Sequence, residues 1–123
     1  GGAGKGNVIG YNASVGVYVE GANNNKIRGN YIGTDDAGEN YGNERYGIAL
    51  AGESYATKIG GKLPEQGNTI GFNESSGIHV GEAPNTYIRN NYIGTNAAGD
   101  DLGNMSSGIS IDGTFTNASN HFI

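Results

Sequence analysis

The chain has 123 residues, of which 24 are Gly, two are Pro and none is Cys. Its formal net charge of −5 argues against a nucleic-acid partner, whose phosphates require a basic surface, and against binding to an anionic membrane. No apolar stretch approaches the length of a membrane span, and the absence of cysteine excludes a disulfide framework. A chain of this length is predicted to form one domain.

Along the chain, one short phrase, Asn-x-Ile-Gly, occurs four times. Its copies begin at Asn7, Asn30, Asn68 and Asn91. A second phrase, Gly followed by two aliphatic residues separated by one position, comes after each copy and begins at Gly16, Gly47, Gly77 and Gly108. A lone Ile closes each cycle, at Ile27, Ile59, Ile88 and Ile123. Internal repetition with a cycle of a few tens of residues predicts a solenoid.

The apolar runs are too short for helices and alternate with a period of two, so each is predicted to be a short β-strand with one inward face. Glycine and asparagine supply the backbone angles that frequent corners require. The predicted fold is therefore an all-β parallel β-helix. The aliphatic residues predicted to face its interior are Ile9, Val17, Ile32, Ile48, Ile70, Ile78, Ile93 and Ile109.

The whole chain, 1–123, is predicted to be a single β-helix domain of about four coils. Their predicted boundaries are 1–25, 26–57, 58–85 and 86–119, with 120–123 beginning a fifth coil. Residues 6–57 align with 67–118 without a gap and nearly half of the aligned residues are identical, which indicates two tandem double-coil repeats. Two long loops, 34–46 and 95–107, are expected at the same corner, and 62–66 form a shorter insertion at another.

The Asn that opens each main phrase lies two residues before an inward Ile, so its side chain is also predicted to point inward. Stacked identical amides can satisfy one another where a lone buried amide would be costly. We therefore predict a ladder of side-chain hydrogen bonds, with exposed corner asparagines as the alternative. Its members are Asn7, Asn30, Asn68 and Asn91.

The run GNYIGTDDAGENYGNERYGIAL, followed by KIGG, resembles the right-handed parallel β-helix (pectin-lyase-like) repeats of bacterial surface and secreted proteins. The resemblance covers essentially the whole chain. It implies a right-handed winding and an extracellular or cell-surface location. Repeats of this kind occur in adhesin-like, stalk-like and carbohydrate-active proteins alike, so the resemblance indicates the fold more specifically than the function.

The two ends of the chain are in phase with the repeat. Phe122-Ile123 corresponds to Lys58-Ile59, and Gly1-Gly2 supplies the glycines that follow in the interior copy. Unpaired solenoid ends are open strand edges. We therefore expect either a segment excised from a longer parent solenoid or copies that self-associate end to end.

Acidic residues on the two long loops are candidates for a metal site. Asp35, Asp36, Asp100 and Asp101 lie on glycine-rich loops, and clustered carboxylates can bind a hard cation such as Ca²⁺. The spacing matches no calcium motif, and Asp35 is replaced by Asn96 in the second repeat. Solvated loop acids that maintain solubility are the favoured interpretation, and no cofactor is expected.

A carbohydrate site is the second hypothesis. Tyr31 and Tyr92 occupy outward positions and Arg28 and Arg89 follow inward Ile residues, so together they could stack on and bind sugar rings. The alternative is that the tyrosines are ordinary strand residues and the arginines are solvated. A polysaccharide lyase could use such an Arg as a base, but no paired carboxylates accompany it.

His79 is predicted to be an ordinary outward-facing strand residue, because one His without partners at matched spacing does not make a metal site. The favoured function is structural: a spacer, stalk or adhesin-like scaffold of a surface or secreted protein. The alternative is a module that binds or cleaves carbohydrate, so an enzyme is the less favoured expectation.

Overall fold

The computed structural model describes residues 6–112, which form a parallel β-solenoid with no α-helix in that range. This confirms the predicted fold class. The strands are β1 (Val8–Ile9), β2 (Val17–Glu20), β3 (Lys26–Ile27), β4 (Tyr31–Ile32), β5 (Ile48–Ala51), β6 (Lys58–Gly60), β7 (Thr69–Ile70), β8 (Ile78–Val80), β9 (Tyr87–Arg89), β10 (Tyr92–Ile93) and β11 (Ile109–Ile111). One turn of 3-10 helix, Pro64–Gln66, lies between β6 and β7.

Every third strand joins the same sheet, and all strand pairs are parallel. The first sheet has the order β1-β4-β7-β10, the second β2-β5-β8-β11 and the third β3-β6-β9. We call each set of three successive strands a rung: rung 1 is β1–β3, rung 2 is β4–β6, rung 3 is β7–β9, and rung 4 contains β10 and β11. The described residues thus form three complete rungs and two strands of a fourth.

The strand register places the repeated aliphatic residues directly above one another. Ile32 pairs with Ile9 on one side and with Ile70 on the other. In the second sheet Ile48 pairs with Val17 and Ile78 in the same way. The repeats predict this register correctly because a slip of one residue would turn every aliphatic side chain to the opposite face.

The core is a narrow column of aliphatic side chains enclosed by the three sheets. Ile32, Ile48, Ile59, Ile70 and Ile78 are fully buried. The outermost predicted members, Ile9, Val17, Ile93 and Ile109, pack against this column but are only partly buried. All eight predicted inward aliphatics therefore belong to the core, and those on the inner rungs are the most enclosed.

The predicted four coils correspond to about three full turns among the described residues. The predicted fourth coil, 86–119, is described only as far as Asp112, and the predicted fifth, 120–123, lies outside the described residues, as does Gly1-Gly2. The long loops 34–46 and 95–107 lie at the same corner, as predicted. Gly38 of the first loop is so close to Asn96 of the second that a Cβ on Gly38 would lie 3.2 Å from Asn96 Nδ2. No helix within residues 6–112 is long and apolar enough to cross a membrane.

Candidate functional site

The predicted row of stacked asparagines is present, and we call it the first Asn ladder (Asn7, Asn30, Asn68 and Asn91). Asn7 Nδ2 donates to Asn30 Oδ1 at 3.1 Å, Asn30 Nδ2 to Asn68 Oδ1 at 3.2 Å, and Asn68 Nδ2 to Asn91 Oδ1 at 2.9 Å. Asn68, in the middle of the row, is fully buried. Its Nδ2 also donates to Ile27 O at 2.8 Å, so the buried amide is satisfied.

A second Asn ladder, which the repeat phrases did not predict, runs parallel to the first. Asn12 Nδ2 donates to Asn43 Oδ1 at 2.8 Å, Asn43 Nδ2 to Asn73 Oδ1 at 2.8 Å, and Asn73 Nδ2 to Asn104 Oδ1 at 3.0 Å. Asn43 and Asn73 are fully buried. A signal was available, because each of these asparagines stands four residues before the Gly of the second phrase.

Both ladders have a direction. In all six steps the Nδ2 of one rung donates to the Oδ1 of the following rung. In five of the six that Oδ1 also accepts a backbone N–H, as in Asn43 N to Asn73 Oδ1 at 3.2 Å. The Oδ1 atoms of Asn7 and Asn12 have no donor among the described residues. Rung 1 therefore presents two amide oxygens as acceptors on its outer side.

A second feature is a pocket of about 560 Å³ beside the third sheet, which we call the basic pocket. Four of the seven Lys and Arg residues of the chain line it: Arg28, Lys58, Lys62 and Arg89. Among the described residues no Asp or Glu lines it. The pocket thus concentrates positive charge on a protein whose formal net charge is −5.

The basic pocket is built by the corner insertion together with three rungs. Arg28, Lys58 and Arg89 come from the third-sheet strands or the residue directly after one, whereas Lys62 and Leu63 come from the insertion before the 3-10 turn. Gly60, between the two arginines, has a φ of +82°, and a Cβ there would lie 1.9 Å from Arg89 O. A side chain at position 60 is thus excluded by the backbone of Arg89 and the ladder amide of Asn91.

The structure separates the four residues of the predicted sugar surface. Arg28 and Arg89 both line the basic pocket, whereas Tyr31 and Tyr92 lie on the first sheet and do not. The aromatic ring in the pocket is that of Tyr87, which was not among the predicted site residues. Arg89 Cζ lies 5.5 Å and Lys58 Nζ 5.9 Å from the centre of that ring, so cation–π contacts help to position both cations.

The acidic loop residues predicted as metal ligands are used in loop turns. Asp35 Oδ1 accepts the backbone N–H groups of Ala37 and Glu39, both at 3.0 Å, and Asn96 accepts the equivalent pair in the other loop. This shared role explains why Asn can replace Asp there. The Asp35 carboxylate also raises the pKa of the Tyr41 phenol, with a smaller contribution from burial.

The remaining loop carboxylates make similar local contacts. Asp100 Oδ2 accepts from Asn96 Nδ2 at 2.9 Å, and Asp101 Oδ1 accepts the N–H of Gly103 at 3.0 Å. Asp36 is exposed. Within residues 6–112, no three Asp, Glu or His side chains are grouped closely enough to hold a metal ion. The geometry of the described loops thus gives the Ca²⁺ hypothesis no preformed site.

His79 lies at the central position of β8 and is only partly exposed. Its ring stacks on Tyr46, with 4.5 Å between ring centres and an interplanar angle of 11°, and its Nδ1 lies 2.8 Å from Ser110 Oγ. Burial lowers the pKa of His79; the Arg45 guanidinium adds to that effect, and Asp112 opposes it. A neutral imidazole is therefore part of the packing on the outer face of the second sheet.

Comparison of the chain with models of protein families, with curated proteins and with solved structures finds no match. The candidate features are therefore defined by geometry: two Asn ladders that end on open acceptors at rung 1, and one pocket lined by four cations.

Proposed function

We propose that this chain is a scaffold segment of a surface or secreted β-helix protein, and that it lengthens by stacking rung upon rung. The observation that carries the proposal is the direction of the two Asn ladders. Because every Nδ2 donates toward the following rung, an added rung in front of rung 1 would meet the acceptor atoms of Asn7 and Asn12. Such a rung is supplied either by a longer parent chain or by a second copy.

The backbone of rung 1 supports the same proposal. Each strand of rung 1 pairs with a rung 2 strand, and no described strand pairs with the other side. Unpaired edges of parallel strands are templates for further pairing. A second copy would place the opposite end of its solenoid against rung 1, so the two surfaces in contact are different. Such an association is head to tail and produces filaments rather than closed dimers.

The proposed location outside the cell rests on the resemblance of the repeat phrases to those of surface and secreted β-helix proteins. A scaffold role also agrees with which residue types repeat from rung to rung within the chain. The repeated side chains are core aliphatics and ladder asparagines, which hold rungs together, whereas the outward residues vary from rung to rung, as in the row Tyr18, Ala49, His79 and Ser110.

Sedimentation velocity over a concentration series, with negative-stain images of the same samples, tests the proposal. We expect species larger than the monomer that grow with concentration, and short filaments in the images. The test variant is Asn7→Lys, because a lysine at a strand edge opposes pairing. The matched control is Tyr55→Lys, which adds the same charge at an exposed position of rung 2, a rung that already has a neighbour on each side.

Asn7→Lys is expected to reduce the association strongly, and Tyr55→Lys is expected to leave it close to that of the unmodified chain. A monomer at every concentration contradicts stacking between copies. Equal loss of association in both variants also contradicts it, because the effect would then follow charge rather than the ladder.

A further inference from the structure

The four cations of the basic pocket are not neutralised within the described protein. No ion pair joins Arg28, Lys58, Lys62 or Arg89 to an Asp or Glu among residues 6–112. Among the described residues, the one hydrogen bond that these side chains make is from Arg28 Nε to Gly60 O at 3.2 Å. Cations that line one pocket without a counter-ion create a positive potential that attracts anions, so this lining favours an anionic ligand.

The cations reach the pocket from more than one rung. Strands in one sheet are about 4.8 Å apart, so Arg28 and Arg89, two rungs apart, emerge about 10 Å from each other with Lys58 on the strand between them. The three cations thus approach from successive rungs, while Lys62 approaches from the insertion. A ligand between them meets positive charge from more than one side.

Two guanidinium groups favour an anion with several oxygen atoms. Arg presents a planar fork of N–H donors that matches phosphate and carboxylate, and Lys adds a point charge. Four cations are best matched by a group with about two negative charges and more than two acceptor oxygens. A single carboxylate, with one charge and two oxygens, would leave most of the positive charge uncompensated.

The size and lining of the pocket add a second constraint. About 560 Å³ is more than one small anion occupies. Leu63, half exposed, and the side chain of Gln66 line the part formed by the insertion and offer an apolar contact and an amide. The remaining space therefore suits the body of a small ligand that carries the anionic group.

We propose that the basic pocket is a binding site for a tetrahedral oxyanion, a phosphate or sulfate group, either free or carried on a small polar molecule such as a sugar. This role goes beyond the scaffold function and does not depend on it. Arg28 and Arg89 bind the oxyanion oxygens, and Lys58 and Lys62 supply further charge. The insertion 62–66 follows rung 2 and places the site at that corner of the described solenoid.

Isothermal titration calorimetry at low ionic strength tests this site with four probes: inorganic phosphate, inorganic sulfate, glucose 6-phosphate and galacturonate. We expect saturable binding of the first three with one site per chain, and binding of galacturonate at least about tenfold weaker. If glucose 6-phosphate binds more tightly than phosphate, the site recognises an oxyanion carried on a small molecule. If the two bind with equal affinity, the site recognises the free anion. Both of these results support the oxyanion site.

Variants locate the binding. Arg89→Gln and Lys62→Gln are each expected to weaken phosphate binding about tenfold, and Arg28→Gln to weaken it at least as much. Lys62 is exposed in the insertion and Arg89 is exposed at a strand end, so both variants are expected to retain the fold. The matched control is Arg45→Gln, which removes one exposed guanidinium that lies over Tyr46, outside the pocket.

Three results would overturn the proposal. The first is no binding of phosphate, sulfate or glucose 6-phosphate at low ionic strength. The second is a loss of affinity in Arg45→Gln equal to that in Arg89→Gln, which would indicate a nonspecific charge effect. The third is galacturonate binding as tightly as phosphate, which would mean that the site selects for a single carboxylate.

Discussion

Asn43 donates a 2.8 Å hydrogen bond from its side chain to Oδ1 of Asn73, which lies one rung away in space and 30 residues away in sequence. Both side chains are fully buried. Asn73 Oδ1 also accepts the backbone N–H of Asn43, so one amide oxygen satisfies two donors of the preceding rung. The relationship recurs along both ladders and joins successive rungs at corners where the backbone leaves the sheets.

Removal of an inner ladder side chain is therefore expected to be costly. Asn43→Ala deprives the backbone N–H and Nδ2 of Asn12 of their acceptor and removes the donor to Asn73. We expect the free energy of unfolding to fall by about 2 to 3 kcal/mol, because unsatisfied buried polar groups cost about 1 to 3 kcal/mol each. Urea denaturation followed by circular dichroism measures this value.

The matched control for that variant is Asn12→Ala, at the exposed end of the same ladder. Without the Asn12 side chain, Asn43 Oδ1 still accepts the backbone N–H of residue 12. We therefore expect the free energy of unfolding to fall by less than about 1 kcal/mol. Equal losses in the two variants would show that burial within the ladder does not determine its contribution.

The aliphatic column gives a second prediction. Ile70 is fully buried between Ile32 and Ile93 in the first sheet. Ile70→Ala is expected to lower the free energy of unfolding by about 2 to 5 kcal/mol through lost burial and the resulting cavity. Val8→Ala, at a largely exposed position of the same sheet, is expected to change it little. An unchanged melting curve for Ile70→Ala would contradict the inward register.

A row of left-handed residues at one corner gives a third prediction. Asn24, Ala56 and Asn85 have φ values of +60°, +56° and +58° in successive rungs. Asn tolerates this conformation better than Ala, whose Cβ is crowded there. Ala56→Asn is therefore expected to stabilise the protein by about 1 kcal/mol.

The converse variant, Asn85→Ala, is expected to destabilise the protein by a similar amount. Thermal unfolding of both variants beside the unmodified chain gives the comparison. A loss of stability in Ala56→Asn would mean that side-chain contacts at this corner outweigh backbone conformation.

The fourth prediction concerns pH and His79. Burial lowers the pKa of His79 in the folded protein below its ordinary value of 6.5, so the unfolded chain binds the proton more readily. The corresponding stability is fully present above pH 6.5 and is lost as the pH falls through the lowered folded-state pKa. Melting temperatures from pH 8 to pH 5 are expected to decline more steeply for the unmodified chain than for His79→Gln. Parallel curves would contradict this assignment.

The repeated residues made most of the fold predictable. Ile at one position of each cycle defines a column, and the Asn two residues before it shares its inward side, so sheets, core and first ladder follow from period-two alternation. The second ladder was missed because its asparagines precede a strand by several corner residues, where alternation gives no direction. Only their constant distance from the following Gly carried the signal.

The basic pocket was not predictable in the same way. Lys58 and Tyr87 are paired in adjacent strands but differ in residue type, so no repeated residue marks this position. Lys62 comes from an insertion that the other described rungs lack. Their convergence depends on how the insertion folds back over the third sheet. Likewise Tyr46, at the end of a long loop, reaches the ring of His79 only because the loop rejoins the second sheet beside it.

Amide hydrogen exchange, followed residue by residue by NMR, tests the central claim that two Asn ladders join the rungs. The backbone N–H groups of Asn30, Asn43, Asn68 and Asn73 each donate to a ladder Oδ1. We predict that they exchange as slowly as the core-strand amide of Ile48, and far more slowly than Ala98, whose N–H bonds to an Asn within an exposed loop. Exchange of the four ladder amides at the rate of Ala98 would contradict the claim.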